Sequence, residues 1–167
     1  MHKCFFVKTW RIWLIIFFAL SIQTAALAQE PKTFETNFIT IRYSHYTDLS
    51  SFLWRISGLK SIAGTDEFTM KTRVDRIVQQ VENILGMYPD NFHIDVILNS
   101  GYKQGDIALY STAAKSITVY ADVVTDGVLA HEIAHAVINA HFKVPPPQQV
   151  QEILCQYVDE HLWQEYK

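Results

Sequence analysis

Apolar and polar positions alternate along some stretches of the chain and recur at helical spacing along others. Asn37 to Tyr43, rich in β-branched and aromatic residues, predicts a strand. Thr47 to Lys60 is mixed and predicts a short helix around Phe52, Leu53 and Ile56, closed by Gly58. From Glu67 to Leu85, Val74, Ile77, Val78, Val81, Ile84 and Leu85 keep the i, i+3, i+4, i+7 rhythm of one helix face. Asp66 is its N-cap, and Gly86 and Pro89 stop it. Phe92 to Leu98 alternates as a strand, and Asn99-Ser100-Gly101 turns the chain. Ile107 to Tyr110 and Ser116 to Tyr120 predict two more strands, joined across Ser111 to Lys115. Two helices follow, about Asp126 to Phe142 and about Gln148 to Gln164, with Asp126 and Gly127 as start signals of the first. Between them Pro145-Pro146-Pro147 forbids one continuous helix. Residues 29–33 read as a polar lead-in. The expected fold is α+β, a small and mostly antiparallel sheet packed on helices.

The N-terminus changes the arithmetic. His2, Lys3, Lys8 and Arg11 precede the apolar run Ile12 to Ile22, and Ala26-Leu27-Ala28 supplies a small-x-small cleavage pattern. Residues 1–28 therefore read as a secretory signal cut after Ala28, with export to a periplasm or the exterior. The alternative, an uncleaved anchor, has too few apolar residues to cross about 30 Å of hydrocarbon. Cys4 sits in the charged start, which is not where a lipoprotein cysteine stands. The 167 residues carry 14 Lys and Arg, 17 Asp and Glu and a net charge of −3. Three of the basic residues (Lys3, Lys8 and Arg11) and none of the acidic ones fall in the signal, so the chain after Ala28 is more acidic, net −6. That excludes a simple nucleic-acid footprint. Aromatic content of 13% with 6 Gly and 5 Pro excludes a disordered or low-complexity chain. Residues 29–167 suffice for a single domain. They contain one cysteine, Cys155, so no internal disulfide forms, and a lone thiol in a helix reads as a small buried apolar residue.

The candidate chemistry lies in His131-Glu132-Ile133-Ala134-His135, an H-E-x-x-H pentapeptide inside the first of the last two helices. Residues four apart stand one turn apart on one face, so two imidazoles reach a single zinc ion at about 2.0–2.1 Å. Leu129, Ile133, Ala136, Val137 and Ala140 form the apolar stripe, with the two His opposite it. A third ligand decides between metal binding and coincidence. His141 has the metzincin spacing, but Ile138 stands where that pattern needs Gly, and no Met follows. Glu152 is the other candidate. It begins a helix whose apolar stripe reads as Val150, Ile153, Leu154, Tyr157 and Val158, leaving Glu152, Gln156 and Asp159 together. His45, His93 and His161 are isolated and read as surface or packed residues. Trp54 and Trp163 read as core or rim.

Over about residues 105–160 the chain resembles the gluzincins, zinc metallopeptidases with two His from H-E-x-x-H and a Glu from a following helix. Val128 to Val137 looks like the thermolysin-type active-site helix, and Glu152 to Val158 is similar to the glutamate helix of peptidase-MA-like domains. Ala108-Leu109-Tyr110 resembles the edge strand that receives a peptide substrate. The resemblance implies one Zn²⁺ held by His131, His135 and Glu152, with Glu132 as general base to a zinc-activated water that attacks a peptide or protein substrate. Asn139, Gln156 and Asp159 are the expected orienting partners of the imidazoles. An Asp stands in thermolysin-like enzymes where Gln156 stands here. Larger gluzincins carry an oxyanion-stabilising His or Tyr in a C-terminal subdomain. Only the short stretch from Ile153 to Lys167 follows Glu152, so Tyr157, His161 or Tyr166 would substitute, and the similarity is to minimal gluzincins. The rival readings are an inactive zinc-binding domain that binds peptides or partner proteins, and a metal-free structural domain. No membrane span is expected once the signal is removed.

Overall fold

The computed structural model describes residues 31–57 and 64–162. The segment read as a signal (residues 1–28), Gly58, Lys60, Trp163, Gln164 and Tyr166 lie outside the described residues. Strands are β1 (Lys32–Glu35), β2 (Ile39–Tyr43), β3 (Ile94–Asn99), β4 (Ala108–Ser111) and β5 (Ser116–Tyr120). Helices are α1 (Tyr46–Ile56), α2 (Glu67–Leu85), α3 (Asp126–His141) and α4 (Gln148–His161). The α+β class is as expected, and β1 is a strand where the sequence suggested only a lead-in.

The sheet runs β1-β2-β3-β5-β4. The outer pairs β1/β2 and β4/β5 are antiparallel, while β2/β3 and β3/β5 are parallel. It is thus mixed, with parallel pairings at its centre and antiparallel ones at its edges. Parallel neighbours need a long crossover, and α1 and α2 supply one between β2 and β3. Between β3 and β5 the chain visits the far edge to lay down β4 before returning.

Strand alternation sends Ile39, Ile41, Ile94, Val96, Leu98, Ile117 and Val119 into the core. The opposite face carries Thr40, Arg42, Asp95, Ile97 and Thr118, half-buried or exposed. There Arg42 donates to both Asp95 oxygens at 3.1–3.3 Å, an exposed pair that adds little to stability.

α2 forms where its periodicity places it. Asp66 accepts from the Thr69 N–H at 2.9 Å and the Thr69 hydroxyl at 2.7 Å, and Gly86 closes the helix at φ 62°. Val74, Ile77, Val78 and Val81 are buried, each contributing about 1.5–3 kcal/mol relative to an exposed position. The buried Asp75 carboxylate accepts from the Asn37 amide at 2.7 Å and the Asn37 N–H at 3.2 Å, tying α2 to the turn before β2.

α3 is the central helix, packed against the other three helices and against β4 and β5. Leu129, Ala130, Ile133, Ala134, Ala136, Val137 and Ile138 are all buried. Thr125 caps its start, accepting from the Val128 N–H. Among the described residues no helix is long and apolar enough to cross a membrane.

Candidate metal centre

His131 and His135 sit one turn apart on α3, their ring centroids 5.2 Å apart. Burial of nearly every other face of α3 leaves this side for α4 and for the opening toward β4. α4 folds back on α3 after the proline segment, which puts Glu152 beside both rings. One Glu152 oxygen lies 3.6 Å from His131 Nε2 and the other 3.5 Å from His135 Nε2.

The far side of each ring is also held. His131 Nδ1 meets Asp159 Oδ2 at 2.9 Å. His135 Nδ1 stands 3.5 Å from Gln151 Oε1, a long contact. Asn139 reinforces it, donating to Gln151 Oε1 at 2.8 Å and to the His135 carbonyl at 2.7 Å. The Gln151 amide then donates to the Pro146 carbonyl at 2.9 Å, so the proline loop takes part in fixing the ring. Such outer partners set the tautomer that leaves Nε2 free as a ligand.

Cys155 approaches the same pair from the core. Its sulfur and one ring nitrogen from each of His131 and His135 lie within 4.8 Å of one another, a cluster able to hold a metal ion. The residue is fully buried. Burial, then the charges of Glu152, Asp159 and Glu132, push its thiol up to about 12. The imidazole, thiol and carboxylate donors suit a transition-type divalent ion better than magnesium or calcium, which prefer oxygen alone.

Glu132 reaches across to the sheet. Its Oε2 accepts from the Tyr110 backbone N–H at 2.7 Å. β4 is an edge strand, and the Tyr120 N–H donating to the Ile107 carbonyl fixes which residues turn inward. By alternation Ala108 and Tyr110 direct their backbone groups to the free edge, toward α3. Between that edge and the helices lies a cleft of about 560 Å³, bordered by Ala108, Leu109, Tyr110, Glu132, His135 and Glu152 among others.

The remaining expected site residues divide. Asn139 and Asp159 join the centre. Gln156 is exposed and, among the described residues, bonds to neither imidazole. Tyr157 and His161 do not border the cleft; their rings lie 4.0 Å apart on the outer side of α4. At about 3.6 residues per turn both stand roughly opposite Glu152 around the helix, too far to face the same opening. His141 ends an unbroken α3 and packs edge-on to Phe142, so the chain does not turn at Ile138 to bring it back. His93 is occupied by Thr40 and the Asn37 carbonyl. His45 precedes α1 without capping it, and Trp54 lies on the rim, half exposed.

The apolar stripe expected on α4 is also corrected. Val150, Ile153 and Tyr157 are exposed, while Cys155, Val158 and the following Leu162 are buried. Gln151 is the functional neighbour that the sequence reading missed. The signal was available in the spacing 151, 155, 159, one helix face, but polar side chains there compete with a more apolar face next to it. Comparison of the chain with protein families, curated proteins and solved structures finds no match.

Proposed function

We propose that the chain is a zinc-dependent metallopeptidase of gluzincin type, with His131, His135 and Glu152 holding the ion and Glu132 as general base. The observation that carries the reading is the orientation of the two imidazoles. Both Nδ1 atoms are turned to outer partners, Asp159 and Gln151, and both Nε2 atoms face the Glu152 carboxylate. Zinc, when bound, supplies the Lewis acidity that polarises a carbonyl and makes water nucleophilic near neutral pH.

The chain's own groups do the rest. Asp159 and Gln151 keep the rings from turning. Glu132 Oε2 is tied to the Tyr110 N–H, which leaves Oε1 to accept a proton from water and pass it to the leaving amine. The Ala108 backbone and the Tyr110 carbonyl pair with an extended peptide or protein substrate along the free edge of β4. Export through the signal at residues 1–28 belongs to the same reading.

A second reading rests on the Glu132–Tyr110 bond. A zinc-bearing domain that binds peptides without cutting them would use Glu132 to hold the edge strand in place. One experiment separates the two. Zinc content and cleavage of a denatured protein substrate are measured for the purified chain, for Glu132→Gln, for Glu152→Ala and for Cys155→Ala. The peptidase reading expects one zinc per chain, cleavage lost in Glu132→Gln with zinc retained, and zinc lost in Glu152→Ala. Zinc without cleavage in the unaltered chain, and in Cys155→Ala as well, selects the binding domain. No zinc at all overturns both.

A further inference from the structure

The three donor atoms that lie within 4.8 Å of one another belong to His131, His135 and Cys155, a group that leaves out Glu152 and brings in a donor the proposed ligand set does not use. Glu152 reaches the imidazoles from the exposed side, its side chain 40% accessible. Cys155, one turn later on the same face of α4, reaches them from the core with no exposure at all. Its sulfur is not merely near one ring: it lies within 4.8 Å of a ring nitrogen of each, and those nitrogens lie within the same distance of each other. A small apolar residue would fill the core equally well, yet this position carries the side chain whose sulfur bonds borderline-soft divalent ions best.

We propose that Cys155 is a fourth protein donor to the ion held by His131, His135 and Glu152. The inference rests on the metal centre proposed above and adds its regulation. A set of two imidazoles, one carboxylate and one thiolate fills a tetrahedron, and a four-coordinate site with all positions taken by protein is closed, whereas a catalytic one keeps a position open. The centre therefore has a latent form with the sulfur bound and an open form with it released. Binding breaks the S–H bond and forms a sulfur–metal bond, and the proton leaves to solvent. The sulfur also biases the site toward zinc over the oxygen-seeking magnesium and calcium.

Cobalt(II) is the probe, because a thiolate ligand adds a near-ultraviolet sulfur-to-metal charge-transfer band that nitrogen and oxygen ligands do not. Cobalt is titrated into the metal-free purified chain, into Cys155→Ala and into Cys4→Ala, with absorption recorded at each addition. The expected result is a charge-transfer band that saturates at one cobalt per chain, persists in Cys4→Ala and disappears in Cys155→Ala, which keeps the weaker visible bands. Should Cys155→Ala fold poorly, Cys4→Ala still decides, since Cys155 is then the single thiol left. Visible bands without charge transfer in Cys4→Ala overturn the assignment of Cys155 while leaving the centre of His131, His135 and Glu152 standing. No cobalt binding in any form overturns that centre and the inference together.

Discussion

α2 and α4 both pack against α3, but they present it with opposite kinds of surface. α2 offers Val74, Ile77, Val78 and Val81, all buried. It is capped by Asp66 at one end and by left-handed Gly86 at the other. α4 offers Gln151, Glu152, Cys155 and Asp159, which point at two histidines. It starts from Pro147 with no side-chain cap and leaves Val150, Ile153 and Tyr157 in solvent. α2 is held by area removed from water. The α4 face combines buried Cys155 and Val158 with directed polar contacts from Gln151 and Asp159, and its orientation leaves part of its apolar surface exposed. A helix can thus give up apolar burial to aim side chains at a site.

Perturbations of the two faces should therefore separate stability from metal binding. The largest effect is expected from Glu152→Ala, which removes the carboxylate that faces both imidazoles: on the proposed reading, metal retention on dialysis should collapse while the far-ultraviolet dichroism stays that of the folded chain. Unchanged retention would detach α4 from the centre and undo the contrast. On the other face, Ile77→Ala should cost about 2–5 kcal/mol in urea unfolding through lost burial and a residual cavity, with metal affinity unaltered in the folded protein. Asp159→Ala comes next. Removing the partner of His131 Nδ1 should weaken metal binding about 10- to 100-fold, and the partly exposed side chain should barely move the urea midpoint. A fall in stability as large as that of Ile77→Ala would show the polar face to be structural after all.

The smallest effects refine the contrast. Ile153→Ser, on the exposed stripe of α4, should stay within about 0.5 kcal/mol of the unaltered chain, against the loss expected had that stripe been core. Asp66 supplies a pH signature for α2. The Thr69 hydroxyl and then the Thr69 N–H hold its carboxyl below the ordinary value of 3.8. A carboxylate with a lowered folded-state pKa contributes stability above the unfolded value and loses it as pH falls through the folded one. The difference in unfolding free energy between the unaltered chain and Asp66→Ala should then be full near neutrality and vanish in strong acid. A pH-independent difference would remove the carboxylate from the account.

Much of this was legible in the chain itself, for identifiable reasons. Glu67–Leu85 could be bounded to the residue because cap, stripe and stop all act locally. The helical pentapeptide placed His131 and His135 on one face, since four residues make about one turn. The same geometry grouped Glu152, Gln156 and Asp159 on a second helix expected behind three prolines, and the resemblance to gluzincins singled out Glu152. β1 was missed because its four residues, Lys32–Glu35, alternate too briefly to register and become a strand by pairing with β2. The parallel pairings were missed because strand order depends on how α1 and α2 cross over, which no local pattern encodes.

What is set over one or two turns of chain could be read from the residues alone: the helices, their caps, the spacing of the histidines, and the acidic residues available to them. Which face of α4 meets α3 was settled by packing. That choice turned Gln151 and Cys155 toward the imidazoles, left Gln156 in solvent, and put the Tyr157–His161 pair on the outer side of the helix. The physical reason is competition between two adjacent stripes on one helix. The apolar stripe gains from burial in proportion to its area, while the polar one gains from hydrogen bonds that form only when their partners on α3 are already in place.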